Sequence, residues 1–289
     1  MTHEERLRSD VVEIGRRLYA RGFIASSEGN ISVRLDGQRL LTTPKSVAKG
    51  FLSPDMLVIT DIAGRKLAGE RDPSSELLMH LAIYEDRPDV NAVVHAHPPL
   101  ATGFAVAGIP LDRAVLAEVV TTLGSIPLAE YGTPSTAELP AAVRKYIKAH
   151  DGLLLANHGA VTAGSDLFAA HYKMETIEHF ARISLVARLL GRERVLSRDE
   201  VMRLQELRGS YGISAPAPIC PDGPGVTALE AVACQVVRAP EVPGARLVDD
   251  VLPAGAGAGT IGSVSSDAEI RLTYRQLVAL IEEAVRAIA

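Results

Sequence analysis

Covalent cross-links are scarce here: the chain carries only two cysteines, Cys220 and Cys234, without Cys-x-x-Cys spacing. A disulfide framework and a thiolate metal site are therefore not indicated. Tryptophan is absent. No stretch reaches the unbroken apolar length of a membrane span, and the N-terminal MTHEERLRSDVVEIGRRLYARG lacks the apolar centre of a secretory signal. The expectation is a cytoplasmic protein with no membrane partner. Basic runs are missing too, and the net charge of −5 with interspersed signs argues against a nucleic-acid partner. What is present is a 289-residue chain, 47% hydrophobic, long enough to bury a substantial core.

Thr2 and Glu5 form a capping box for a first helix with Leu7, Val11, Ile14 and Leu18 on one face, stopping at Gly22. Four β-like runs follow, ISVRL, RLLTTP, MLVITD and NAVVHAH, separated by turn signals. Between the last two lies DPSSELLMHLAIYEDRPDV. Asp72 as N-cap and Pro73 at the first position predict a helix from Ser74, with Leu77, Leu78 and Leu81 as its apolar side. TAELPAAVRKYIKAHD reads as a helix, GLLLANHGAV as a buried strand running into a turn at Asn157, His158 and Gly159, and SDLFAAHYKMETIEHFARISLVARLLG as a long helix ending at Gly191. Helices thus mix with a mainly antiparallel sheet, an α/β class in the broad sense.

Residues 93 to 98 read VVHAHP. A strand turns alternate side chains to opposite faces, so His95 and His97 share one face and Ala96 takes the other. Paired histidines also occur as ordinary hydrogen-bonded residues. A catalytic metal site needs a third protein ligand and an open position. His158, at the end of an apolar strand and followed by Gly159, is a candidate, and spacing alone also allows an ordinary turn or core histidine.

Five motifs in order, SSEGNISVRL, LTTPKSV, DPSSELLMHLAIYEDRPDVNAVVHAHP, YGTPST and LLLANHGAV, resemble the class II aldolase family over roughly residues 5–190. The resemblance implies a three-layer αβα fold with a central, mainly antiparallel sheet, assembled as a homotetramer with active sites at subunit interfaces. It implies Zn2+, or another divalent metal such as Mn2+, on His95, His97 and His158, and a catalytic carboxylate at Glu76. It implies a phosphate cradle from Ser27, Gly29 and Asn30, the TPKS loop with Lys45 and Ser46, and Ser74 and Ser75, since hydroxyls, amides and a helix N-terminus suit a dianion. Sugar-phosphate aldolases of the family commonly carry Thr-Gly where this chain has Lys45 and Ser46. The lysine either replaces the lost contact or pairs a substrate carboxylate. Tyr131 matches a tyrosine that family aldolases bring from a neighbouring subunit, and Tyr211 stands where a mobile C-terminal tyrosine is expected.

The activity so implied is cleavage of a (deoxy)ketose 1-phosphate to dihydroxyacetone phosphate and an aldehyde such as lactaldehyde. The resemblance also allows two alternatives that use the same apparatus, a metal-dependent decarboxylase or a sugar-phosphate 4-epimerase, although family epimerases tend to carry Asp at the position of Glu76. Adducin-like relatives keep the fold as an interaction module without the histidines, all three of which are present here.

The expected organisation is an aldolase-like domain over 1–210, a Gly/Pro-rich linker or extension over 211–263, and a C-terminal amphipathic helix over 264–289. Thr273 and Gln276 cap that helix, and Leu277, Leu280, Ile281, Ala284, Val285 and Ile288 form its apolar face. Linker and helix together resemble the encapsulation peptides that load enzymes into bacterial microcompartments, with a shell protein as partner. Packing of the helix on its own tetramer is the alternative.

Overall fold

A computed structural model of the chain describes residues 1–210 and Ile213. The expected linker at 211–263, with Tyr211, Cys220 and Cys234, and the expected helix at 264–289 lie outside the described residues. The chain runs α1 (His3–Ala20), β1 (Asn30–Arg34), β2 (Arg39–Thr42), β3 (Val58–Asp61), β4 (Lys66–Ala68), α2 (Leu77–Asp86), β5 (Ala92–Ala96), α3 (Pro99–Val106) and α4 (Ala117–Thr122). It continues through β6 (Leu128–Ala129), α5 (Glu138–Arg144), β7 (Gly152–Leu155), β8 (Gly159–Gly164), α6 (Leu167–Leu189) and α7 (Arg198–Ser210). Among the described residues, no helix is long and apolar enough to cross a membrane.

The eight strands make one sheet in the order β4-β3-β2-β1-β5-β8-β7-β6, antiparallel at every join except β6 with β7. Strand alternation sorts its residues onto two cores. Ile31, Val33, Ala92, Val94, Ala96 and Ala160 pack toward α1, α3 and α6, while Val93, Leu153, Leu155, Val161 and Ala163 pack toward α2 and α5. The result is the expected αβα sandwich around a mainly antiparallel sheet.

Helix α1 keeps its sequence signature. Thr2 accepts from the Glu5 amide, the Glu5 side chain accepts from the Thr2 amide, and Gly22 at φ +69° turns the chain so that the Phe23 amide reaches the Leu18 carbonyl. Helix α2 departs from expectation. It begins at Leu77, because residues 72–74 are extended and paired with the TPKS segment: the Lys45 amide donates to Asp72, the Ser74 amide to Thr43, and Pro44 bridges Pro73. Pro73 therefore sits beside a strand end, not at a helix start, and Glu76 takes the N-cap position. Of the expected apolar side, Leu77 is buried and Leu81 packs against the core, while Leu78 is exposed and Met79 and Ile83 are buried in its place.

GLLLANHGAV is a hairpin rather than a single strand, with β8 as its second arm and His158 in the connection. Asn157 takes φ +55°, a conformation its short polar side chain tolerates. Gly159 then enters β8 under the site: a Cβ there would fall 2.5 Å from His97 Cδ2 and 2.6 Å from the Ala96 carbonyl oxygen. Gly159→Ala should lower stability by roughly 1–3 kcal/mol through overpacking and displace the His97 ring. Urea unfolding and the imidazole NMR signals of the variant measure the two effects, and wild-type values for both would contradict the close approach.

Candidate metal centre

Register brings the site together. Asn30 of β1 lies opposite His95 of β5, and His95 lies opposite Val161 of β8. Asn30, Ser32 and His95 thereby share the face covered by α2. His97 follows β5 directly, its amide bonded to the Phe23 carbonyl. His158 reaches the cluster from the β7–β8 connection. The three rings meet with centroids 4.7 to 5.0 Å apart, and one nitrogen from each lies within 4.8 Å of the others.

Tautomers follow from the outer partners. His95 Nδ1 is 2.9 Å from the Ala160 carbonyl, which only accepts, so Nδ1 carries the proton. His97 Nδ1 is 3.1 Å from Glu28 Oε2 and carries its proton for the same reason. Burial pushes the His95 pKa down to about 3 and, with His158 alongside, lowers that of His97, so both rings are neutral near pH 7. Their two Nε2 lone pairs then face each other at 3.1 Å with no proton between them. That contact is unfavourable unless a cation sits between the nitrogens.

Glu76 closes the cluster. Its Oε1 is 3.1 Å from His158 Nε2, and its Oε2 is 3.4 Å from His95 Nε2 and 2.7 Å from Asn30 Nδ2. Burial works to raise its pKa. The hydrogen bonds from His158 and the Asn30 amide outweigh burial and hold the carboxyl below the usual range, so it is ionised. It stands in the turn between the extended segment and α2, and its side chain makes no capping bond but reaches the histidines. One turn on, His80 Nδ1 is 2.7 Å from Ser32 Oγ, which lies 2.9 Å from Tyr84 O–H, and this buried network fixes the rotation of α2 against β1. Three imidazoles with a carboxylate that can bind or withdraw fit Zn2+ or a similar divalent ion with an exchangeable position.

The expected anion-binding segments converge on the same spot. The Ile31 amide donates to Thr43 Oγ1 and the Thr43 amide to the Ile31 carbonyl, so the Ser27–Asn30 turn lies beside the TPKS loop, which in turn pairs with residues 72–74. Lys45, Ser46, Ser27 and Ser75 are exposed there, and the Ser74 hydroxyl accepts from the Glu76 amide. Gly29 has φ +66°, and a Cβ on it would fall 2.8 Å from the His95 carbonyl oxygen. Tyr131 is not drawn into the cluster. It leaves the sheet next to the β7–β8 connection, where the Ala156 amide bonds to Ala129, and its ring is 60% exposed.

An αβα sheet with three converging histidines defines a recognisable class of protein. Residues 9–185 match the family described as Class II Aldolase and Adducin N-terminal domain, and the chain belongs to this family. It is 31% identical over 210 residues to a 3-oxo-tetronate 4-phosphate decarboxylase of Pectobacterium atrosepticum, covering 71% of this chain and 94% of that one. It is 34% identical over 178 residues to an L-fuculose phosphate aldolase of Methanococcus maripaludis, covering 62% and 96%. The solved structure of YgbL from Escherichia coli, titled a putative aldolase/epimerase/decarboxylase, superposes with a TM-score of 0.66 at 31% identity, covering 71% of this chain and all of that one.

Sequence reasoning passed over Glu28, His80 and Lys49. Glu28 stands inside a quoted motif, and His80 lies four residues after Glu76 on one helix face, so both were within reach. Nothing in KSVAKGF marks Lys49, which is 3% exposed with Nζ 2.5 Å from the Ser27 carbonyl. Burial pushes its pKa down to about 8, against the opposing charges of Glu76 and Glu28. The unfolded chain therefore holds this proton between about pH 8 and 10.5 while the folded one releases it, and stability from this group rises with pH across that window. In the metal-free protein, the stability of wild type relative to Lys49→Met should increase from pH 7.5 to pH 10. Urea midpoints at the two pH values test this, and a difference independent of pH would mean that the amine stays hydrated.

Proposed function

We propose that the chain is a divalent-metal-dependent lyase that cleaves a C–C bond in a (deoxy)ketose 1-phosphate, releasing dihydroxyacetone phosphate and an aldehyde such as lactaldehyde. The observation that carries this reading is the pair of facing Nε2 lone pairs of His95 and His97, joined by His158 and bordered by the ionised Glu76. Class II aldolases depend on a divalent metal, typically Zn2+. Held by His95, His97 and His158, such an ion would supply Lewis acidity toward the substrate oxygens.

Glu76 is the proton carrier in this reading. Asn30 Nδ2 holds one of its oxygens, which leaves the other free to exchange a proton with a substrate carbon once it moves off His158. The converging turn at Ser27, Gly29 and Asn30, the loop at Lys45 and Ser46, and Ser74 with Ser75 would bind the phosphate through hydroxyls, amides and the start of α2. Tyr131 would take the proton from the hydroxyl that becomes the aldehyde oxygen of a neighbouring protomer's substrate, and in the reverse, condensation direction its phenol would return that proton to the alkoxide. A homotetramer with shared sites belongs to the proposal, and the exposed Tyr131 ring and the exposed Leu185, Val186, Leu189 and Leu190 of α6 and its end support it. Shell targeting by residues 264–289 is proposed from their amphipathic pattern alone.

Decarboxylation of a phosphorylated keto acid is the second reading, favoured by the Pectobacterium relative and by Lys45, whose ammonium suits a substrate carboxylate. A panel of fuculose, rhamnulose and 5-deoxyribulose 1-phosphates, read by dihydroxyacetone phosphate release, against phosphorylated keto acids, read by carbon dioxide release, separates the two. Turnover of the sugar phosphates alone supports the aldolase.

Two variants test the parts. Glu76→Gln should retain bound metal and lose turnover by roughly 10²-fold or more, and a near-normal rate would remove the carboxylate from the chemistry. Ser75→Asp should raise KM for a sugar phosphate far more than for the unphosphorylated sugar, because the new charge repels the dianion at the start of α2. Equal losses for both substrates would move the phosphate elsewhere.

A further inference from the structure

The three histidines are not held alike. His95 is fully buried, and its Nδ1 is tied to a backbone carbonyl, so packing and strand hydrogen bonds both fix its ring. His158 Nδ1 is buried with no hydrogen-bond partner among the described residues. His97 lies beyond the end of β5, its side chain is 21% exposed, and its Nδ1 meets a side-chain carboxylate, Glu28 Oε2, at 3.1 Å. The ring packs against Gly159 and the other two imidazoles, and the partner of its Nδ1 is a carboxylate and not the backbone, so Glu28 sets which nitrogen faces the cluster.

We propose that Glu28 is the positioning residue of the metal centre: its carboxylate accepts the Nδ1 proton of His97, fixing the ring with Nε2 turned to the cation. The proposal rests on the metal-centre reading above. A ligating imidazole with its other nitrogen donating to a carboxylate is both oriented and made a stronger base.

The backbone delivers Glu28 to this place with little latitude. Its amide donates to the Ala25 carbonyl at 3.1 Å, and Ser26 takes φ +49°. The preceding carbonyl, of Ser27, is clamped by buried Lys49, and the following Gly29 is seated against the His95 carbonyl in a conformation that disfavours a side chain. The turn is thus braced on both sides of Glu28 while the Glu28 side chain itself remains 47% exposed. A hydrogen bond to a carboxylate so exposed contributes little to folding. Its effect should appear in metal capture and not in stability.

The test compares the full-length wild type, Glu28→Gln and Glu28→Ala, with zinc dissociation constants from competition against a chromogenic chelator at one pH and thermal unfolding of each metal-free protein. Glu28→Ala should bind zinc about 10- to 100-fold more weakly with an unchanged metal-free Tm. Glu28→Gln keeps an oxygen acceptor for Nδ1–H and should recover much of the loss. Zinc binding by Glu28→Ala within twofold of wild type would overturn the proposal, as would a Glu28→Gln variant as weak as Glu28→Ala or a lowered metal-free Tm in Glu28→Ala. A wild type that captures no zinc would instead overturn the metal-centre reading, and this inference with it.

Discussion

Two neutral imidazole nitrogens held 3.1 Å apart, each with its lone pair toward the other, form a contact that the rest of the site is built to enforce. The Ala160 carbonyl takes the proton side of one ring and Glu28 that of the other, so neither ring can relieve the repulsion by shifting its proton. Burial disfavours adding a proton to His95. What remains is a site whose electrostatics favour a cation, and whose third imidazole and nearby carboxylate arrive from two other segments.

Those arrivals depend on the sheet. Antiparallel β1, β5 and β8 are adjacent, so Asn30 and His95 fall side by side and the β7–β8 hairpin opens at the same end. A one-residue slip of β5 would turn His95 into the opposite core and Ala96 into the site. Helix α2 lies across this face and is locked to β1 through Ser32, His80 and Tyr84. Burial pushes His80 down to about 4, which keeps that lock uncharged. The extended pairing of residues 72–74 with the TPKS segment delays the start of the helix until Leu77, and that delay leaves the Glu76 side chain available to the histidines.

The relatives carry names of both aldolases and decarboxylases at similar identity. This is physically coherent, since both reactions break a bond to a carbon next to a carbonyl and call for the same cation and proton carrier. Discrimination then falls to groups outside the histidine cluster. In this chain Lys45 and Ser46 lie on an exposed loop at that border, and buried Lys49 holds the adjacent turn.

Local chemistry was legible in the sequence because it depends on neighbours only a few residues away. The capping box of α1, its glycine exit, the shared face of His95 and His97 and the long α6 helix all follow from short-range rules of period, cap and turn. The β8 arm escaped because GAVTAG carries no alternation, both its faces being buried. The start of α2 was misread because Asp72 and Pro73 make a good helix opening on their own, and a pairing with residues 43–45 from a distant part of the chain outcompetes it. His158 meeting His95 and His97, Glu28 turning toward His97 and Lys49 reaching the Ser27 carbonyl are contacts between segments far apart or around a sharp turn. Residue order names the donors, but only the closed sheet, with its strand register and the burial that strips water from these groups, decides which of them meet.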